Sequence, residues 1–189
     1  DLAVFLFTSG TTSTSKVVML SHDNIASNIN DMLQMKIFYP TDVNMAFLPF
    51  HHSFGLVGCL VFLSSGCANV FCDGLKYVAK NLEEYGVTVF VGVPLIVENL
   101  YYKIMKQVEK QGMMGKVEKG LKMAALLDKV GIHARRKIFS AIIEKLGGHL
   151  RLIICGAASL SKEVAQGLNN FGIVTIQGYG LTETSPVLT

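Results

Sequence analysis

Short, almost unbroken apolar runs alternate along this chain with stretches whose apolar residues recur every three or four positions. The runs Ala3–Phe7, Val17–Leu20, Asn44–Leu48, Ala68–Phe71, Thr88–Gly92, Leu150–Cys155 and Val174–Gln177 predict strands. Several lack polar alternation, as strands covered on both faces should. Helices are expected over His22–Met35, Gly55–Leu63, Leu75–Tyr85 and Ser161–Asn170, with Ser21 and Ser161 placed to cap two of them. This alternation implies an α/β fold, a mainly parallel sheet with flanking helices. Ligands in such sheets bind beyond the carboxyl ends of strands. The loops after Phe7 and after Gln177 each follow a strand and are expected on that one edge.

The interval from Pro94 to Gly148 breaks the alternation. It reads as mostly helix, with a turn at Gly112-Met113-Met114-Gly115. Between Lys103 and Lys137, ten basic residues stand against three acidic ones, Glu109, Glu118 and Asp128. That balance suits either solvated helix faces or a surface that meets anionic lipid or the phosphates of a ligand. The net charge over all 189 residues is only +3, which gives no argument for nucleic acid as a partner. Half the residues are apolar and the mean hydropathy is +0.42. No run reaches the ~18 consecutive apolar residues of a membrane span, and with no basic n-region or small-residue cleavage site in the sequence, a signal peptide is not expected. The excess hydrophobicity is what a piece of a larger protein should show, with faces that pack on other segments. Cys59, Cys67, Cys72 and Cys155 form no CxxC pair and sit among apolar or small residues. They are expected to be buried, reduced thiols of a cytoplasmic protein rather than metal ligands or disulfides.

Two stretches carry chemistry. The first, Phe7-Thr8-Ser9-Gly10-Thr11-Thr12-Ser13-Thr14-Ser15-Lys16, is nearly all hydroxyls, with one glycine and one lysine. Hydroxyls and backbone N–H groups donate to phosphate oxygens, and Lys16 adds a mobile positive charge. A Walker A loop does not fit: Ser15 stands at the second glycine position and Val17 where the magnesium-binding hydroxyl belongs. Composition alone leaves an ordinary Ser/Thr turn open. The second stretch is Gln177-Gly178-Tyr179-Gly180-Leu181-Thr182-Glu183-Thr184-Ser185-Pro186.

Phe7 to Lys16, with Ser21-His22 following, resembles the phosphate loop of the adenylate-forming superfamily of acyl-CoA synthetases, luciferases and peptide-synthetase adenylation domains. Thr8, Ser9, Gly10, Thr11, Thr12 and Lys16 match its usual form. Ser13 and Val17 stand where glycine is usual, and Ser15 where proline is usual. A position that needed φ > 0 would make such a change cost on the order of 1 kcal/mol. Leu48-Pro49-Phe50-His51-His52-Ser53-Phe54-Gly55 resembles the acyl-pocket motif, which implies His52 beside the reacting carboxylate. Ile154-Cys155-Gly156-Ala157-Ala158-Ser159-Leu160 is similar to the strand-and-loop that lines adenine and the acyl group, with Ala157 and Ser159 as mild departures. Gln177 to Pro186 matches the most specific motif without departure.

The resemblance implies roles that the residue types can fill. Gly178 and Gly180 let backbone approach a nucleotide, Tyr179 offers adenine a flat face, and the Thr182 hydroxyl donates to the α-phosphate. Glu183 would ligate Mg²⁺ with Thr8 as a second ligand. Within the superfamily the chain is most similar to bacterial long-chain fatty acid–CoA ligases, with a basic helical insertion at about residues 95–148. The implied activity is ATP-dependent formation of an acyl-adenylate and its transfer to CoA. A ligase for another carboxylate, or a binding protein with a degraded phosphate loop, remains as the alternative. The resemblance makes residues 1–189 part of an adenylation domain, about a third of such an enzyme. Its small C-terminal domain would lie elsewhere, so the segment alone is not expected to turn over.

Overall fold

The computed structural model describes residues 1–8 and 16–189. Five parallel strands form the central sheet: β3 (Val43–Ala46), β4 (Ala68–Phe71), β5 (Val89–Gly92), β6 (Leu152–Cys155) and β7 (Val174–Gln177). Their order across the sheet is β4-β3-β5-β6-β7. The α/β reading therefore holds. Strand β5 is buried along its whole length, which explains why Val89-Phe90-Val91 has no polar alternation.

Each face of the sheet has its own apolar layer. Phe90, Ile153 and Cys155 point into the larger one. It is filled by α3 (Val78–Glu84), α4 (Pro94–Lys110), α5 (Met114–Lys129), α6 (Arg135–Ile138), α7 (Ser140–Glu144) and α8 (Lys162–Asn170). Helix α4 shows why it docks: Val97, Leu100, Tyr101, Ile104 and Val108 recur at three- and four-residue spacing and are all buried. On the opposite face Val89, Val91 and Leu152 pack with Phe62 of α2 (Ser53–Ser64). Neighbouring residues along β5 and β6 thus serve opposite layers, as the two-residue period of a strand requires. The helical interval after Pro94 is no appendage, since its inner faces complete the larger core.

Several expectations need correcting. The first two strands, β1 (Leu2–Thr8) and β2 (Lys16–Ser21), do not join the parallel sheet. They pair with each other, antiparallel, as a separate hairpin in which Thr8 faces Lys16. The hydroxyl stretch therefore connects the arms of a hairpin and does not lead from a sheet strand into a helix. Strand β6 starts at Leu152, because Leu150 and Arg151 precede the ladder, and β3 ends at Ala46. The helix expected over Leu75–Tyr85 opens as a 3₁₀ turn, Leu75–Tyr77, before α3. Gly112, at φ +63°, makes the turn after α4, whereas Gly115 lies inside α5. Of the four free cysteines only Cys67 and Cys155 are fully buried; Cys59 and Cys72 are partly buried. Among the described residues no helix is long and apolar enough to cross a membrane.

Helix α1 (His22–Gln34) begins as expected. Its Asn24 N–H donates to Ser21 Oγ at 3.1 Å, and the Ser21 N–H donates back to Asn24 Oδ1 at 3.0 Å. Ser161 precedes α8 but makes no side-chain cap; its N–H donates to Glu98 Oε1 at 3.0 Å. At the amino ends of the strands, buried Asp42 accepts from Arg151 Nε at 2.8 Å, from Thr88 Oγ1 at 2.7 Å and from the Tyr39 N–H at 2.8 Å. Arg151 also donates to the Ile37 carbonyl at 2.8 Å. This clamp ties the starts of β3, β5 and β6 together, on the edge opposite the loops of interest.

Candidate active site

The carboxyl ends of β5, β6 and β7 open into one cleft. The loop after β6 and the loop after β7 stand side by side, because the Gly178 N–H donates to the Cys155 carbonyl at 2.9 Å and the Leu160 N–H to Gln177 Oε1 at 3.1 Å. Helix α2 brings its amino end from the other side. Together they enclose an open cavity of ≈ 710 Å³, within the usual size of a small-molecule site, roughly 300–1,000 Å³. Its walls are largely apolar: Met32, Phe54, Phe62, Leu95, Ile154 and Ile176 all face it.

The polar lining comes from the motifs. His52, Gly156, Ala157, Gly178, Tyr179, Gly180 and Thr182 border this cavity. Residues from three separated stretches of sequence thus converge. Ala158 and Glu183 sit just outside the lining and are exposed. Gln177 also lies outside it, since its side-chain oxygen is committed to Leu160. Ser9, Gly10, Thr11 and Thr12 lie outside the described residues. Thr8 and Lys16 mark where the arms of the hairpin meet, and β2 packs against the Thr182–Thr184 turn. The two chemical stretches are neighbours through that contact, although they belong to different sheets.

Local backbone explains the glycines. A Cβ on Gly156 would come within 2.8 Å of the Phe54 ring, so glycine lets α2 close on the end of β6. A Cβ on Gly180 would run into the Pro186 carbonyl oxygen. Gly180 thus serves the folding of its own loop, a reason that motif physics alone did not supply. Ala157 has φ +70°. It occupies the left-handed region where glycine is favoured, so its departure from the motif is not mild and costs about 1 kcal/mol. Val17 shows the reverse: it pairs with Phe7 in a regular strand and carries no positive φ. A β-branched residue there suits the ladder.

Thr182, Glu183 and Thr184 form a 3₁₀ turn. The Thr184 hydroxyl accepts from the Leu181 N–H at 2.9 Å and lies 3.0 Å from the Pro186 carbonyl oxygen, to which it donates. That hydroxyl is spent on the loop. Among the described residues no hydrogen bond or ion pair engages the side chains of Thr182 or Glu183, so both remain available to a ligand. Glu183 is exposed and carries little desolvation burden. His52 is the residue before α2, extended at φ −104°, ψ 137°, and its side chain caps nothing. Its ring lies 4.4 Å, centroid to centroid, from that of His51.

One residue escaped the sequence reading. Asn28 of α1 donates from Nδ2 to the Val187 carbonyl at 2.7 Å and accepts from the Val187 N–H at 3.4 Å. It fastens the loop carrying Thr182 and Glu183 to the helix that continues from β2. Nothing in the pattern of α1 distinguishes Asn28 from its polar neighbours, because its partner is 159 residues away. Cys155, at the end of β6, is fully buried, and burial pushes its thiol up to about 11. It is a packing group and not a nucleophile.

No cluster of three or more His, Cys, Asp or Glu side chains converges among the described residues. A preassembled metal cage is not what this donor set builds. A single exposed carboxylate beside hydroxyls instead suits a magnesium ion held largely by the phosphates of its ligand.

Comparison with known proteins agrees with this geometry. The chain is 32% identical over 205 residues to long chain acyl-CoA synthetase 7, peroxisomal, of Arabidopsis thaliana, covering all of this chain and 28% of that protein. It is 34% identical over 199 residues to long-chain-fatty-acid–CoA ligase 5 of Rattus norvegicus, covering 97% of this chain and 28% of the relative. The chain thus spans less than a third of the length of these curated relatives. Apo MatB from Rhodopseudomonas palustris superposes with a TM-score of 0.68 at 28% identity, over all of this chain and 30% of MatB. ATP-bound MatB gives 0.62 at the same identity, over 98% of this chain and 30% of MatB. The AMP-binding enzyme family matches residues 1–189 from end to end. With its parallel sheet, its paired loops and its sequence kinship all in accord, this chain belongs to the AMP-binding enzyme family.

Proposed function

We propose that the chain forms part of the adenylation domain of an AMP-forming long-chain fatty acid–CoA ligase, with residues 95–148 as its basic helical insertion. The observation that carries this reading is the cavity. A largely apolar space of ≈ 710 Å³ ends at a rim made of Gly156, Ala157 and Gly178 to Thr182, so an alkyl chain and a phosphate would meet at one place. The names of the acyl-CoA synthetase relatives and the ATP-bound state of MatB support the two halves of that assignment.

In the proposed reaction a fatty carboxylate oxygen attacks the α-phosphorus of ATP. The bond to the β-phosphate oxygen breaks and pyrophosphate leaves. The thiol of CoA, losing its proton, then attacks the acyl carbonyl and displaces AMP. Two anions must meet in the first step, so positive groups and donors are needed where charge gathers. Lys16 and the hydroxyls Thr8, Ser9, Thr11 and Thr12, with the Gly10 backbone, would hold the β- and γ-phosphates. Thr182 would donate to the α-phosphate, Tyr179 would cover adenine, and the backbone at Gly156 to Ala158 and Gly178 to Gly180 would border the nucleotide. Glu183 and Thr8 would hold Mg²⁺, which neutralises phosphate charge. His52, facing the cavity from the start of α2, would shape the acyl and CoA side. A reducing compartment such as the cytoplasm suits the four free cysteines.

Fatty-acid-dependent ATP–pyrophosphate exchange on the full-length polypeptide tests this. Exchange should rise with acyl length and be abolished in Glu183→Ala. A folded protein that binds Mg²⁺-ATP but exchanges with no carboxylate would instead be a nucleotide-binding protein.

A further inference from the structure

Helix α5 carries a feature that neither the core nor the nucleotide cleft uses. Its inward side is made of Val117, Gly120 and Ala124, all buried, with Gly120 seated against Ile138 and Phe139. The side turned away should then be polar, yet Met123 and Leu126 of α5 and Val130, which caps its end, lie about 90–150° round the helix from the buried side and are 50%, 64% and 70% exposed. At about 100° per residue these three fall in one stripe roughly 60° wide. Exposed lysines border the stripe, Lys122 and Lys129 on one side and Lys116 on the other, and Lys119 lies within it. Among the described residues none of these four lysines is in an ion pair. Asp128 does not offset them, because Arg135 binds it at 2.7 and 2.9 Å. Glu118 is the remaining acidic group of the helix.

We infer that the outer face of α5 is a docking surface for an anionic lipid bilayer. The charge selects an anionic partner, and the apolar stripe selects among anions. Apolar side chains projecting at the level of the ammonium groups gain nothing against a sugar–phosphate backbone. Against a bilayer they enter the acyl boundary while the lysine stems reach up to the headgroups. Its fold-independence follows from the packing: the stripe can be altered without touching Val117, Gly120 or Ala124. This inference does not rest on the ligase reading.

The test is sedimentation of the full-length polypeptide with phosphatidylcholine vesicles, with and without phosphatidylglycerol. Binding should require phosphatidylglycerol. Lys119→Glu/Lys122→Glu and Leu126→Ser/Val130→Ser should each weaken partitioning about tenfold or more, and both variants should retain wild-type melting and nucleotide binding. Binding to neutral vesicles alone, failure of the wild type to bind, or variants that bind as well as wild type would overturn the assignment. Equally, tight binding to a duplex oligonucleotide that the lysine pair controls and the Leu126/Val130 pair does not would replace it with a polyanion site.

Discussion

Ala157 holds a left-handed backbone without the glycine that would make it easy. Replacing it with glycine should stabilise the folded protein by about 0.5 kcal/mol, measured by denaturant titration, because left-handed strain of about 1 kcal/mol exceeds the roughly 0.5 kcal/mol of entropy that glycine adds to the unfolded chain. A lower midpoint would show that the strain is not where the backbone places it. Gly180 is the opposite case. Gly180→Ala should destabilise by at least about 2 kcal/mol, since the added carbon has only the Pro186 carbonyl to displace. Asn28 acts at a distance. Asn28→Ala should cost about 1–2 kcal/mol in stability and, on the proposed function, raise the KM for ATP more than it lowers kcat. An unchanged KM would mean that the tie to Val187 is only structural.

Elements are held where they are by contacts at both ends of the sheet. At the amino end, burial alone would push the Asp42 carboxyl up, but hydrogen bonds from Arg151, Thr88 and Tyr39 outweigh it and hold that carboxyl below the usual range. A carboxyl lowered in the folded state contributes fully above about pH 4, where the unfolded chain is also ionised, and loses that contribution as pH falls toward the folded value. Asp42→Asn should therefore be less stable than wild type at neutral pH by about 3 kcal/mol, with the gap narrowing below pH 4. Parallel acid-unfolding curves for the two proteins would show that the clamp contributes nothing. Local signals announced most of these elements. The apolar runs at β4 and β7 and the Ser21 cap of α1 were legible because their causes lie within a few residues. The separation of β1 and β2 was not legible, since a buried parallel strand and a hairpin arm of six or seven residues look alike until their partners are known.

At the scale of the molecule, two apolar layers sandwich the sheet and bury Cys155 and Cys67 while leaving Cys59 and Cys72 partly open. A thiol reagent at neutral pH should label Cys59 and Cys72 first, read by mass spectrometry. Cys155 should react only on unfolding, because burial both shields it and pushes its thiol to about 11. Early labelling of Cys155 would mean that the end of β6 opens locally. The same sandwich leaves the cavity on the carboxyl edge.

By itself the sequence determined the α/β class, the run of elements and the residues worth watching. Burial period, caps and motif spacing are properties of neighbours in the chain, and they survive without coordinates. Only the tertiary structure decided that the arms flanking the hydroxyl stretch form a hairpin and that the Gln177 side-chain oxygen and the Thr184 hydroxyl are bonded within the loops. It alone placed Ala157 in a left-handed backbone and made Asn28 a tie to Val187. Each of these depends on a partner far away in sequence or on a torsion that side-chain identity does not dictate. The physical reason is the same throughout: pairing and packing choose between conformations that local propensity leaves nearly equal in energy.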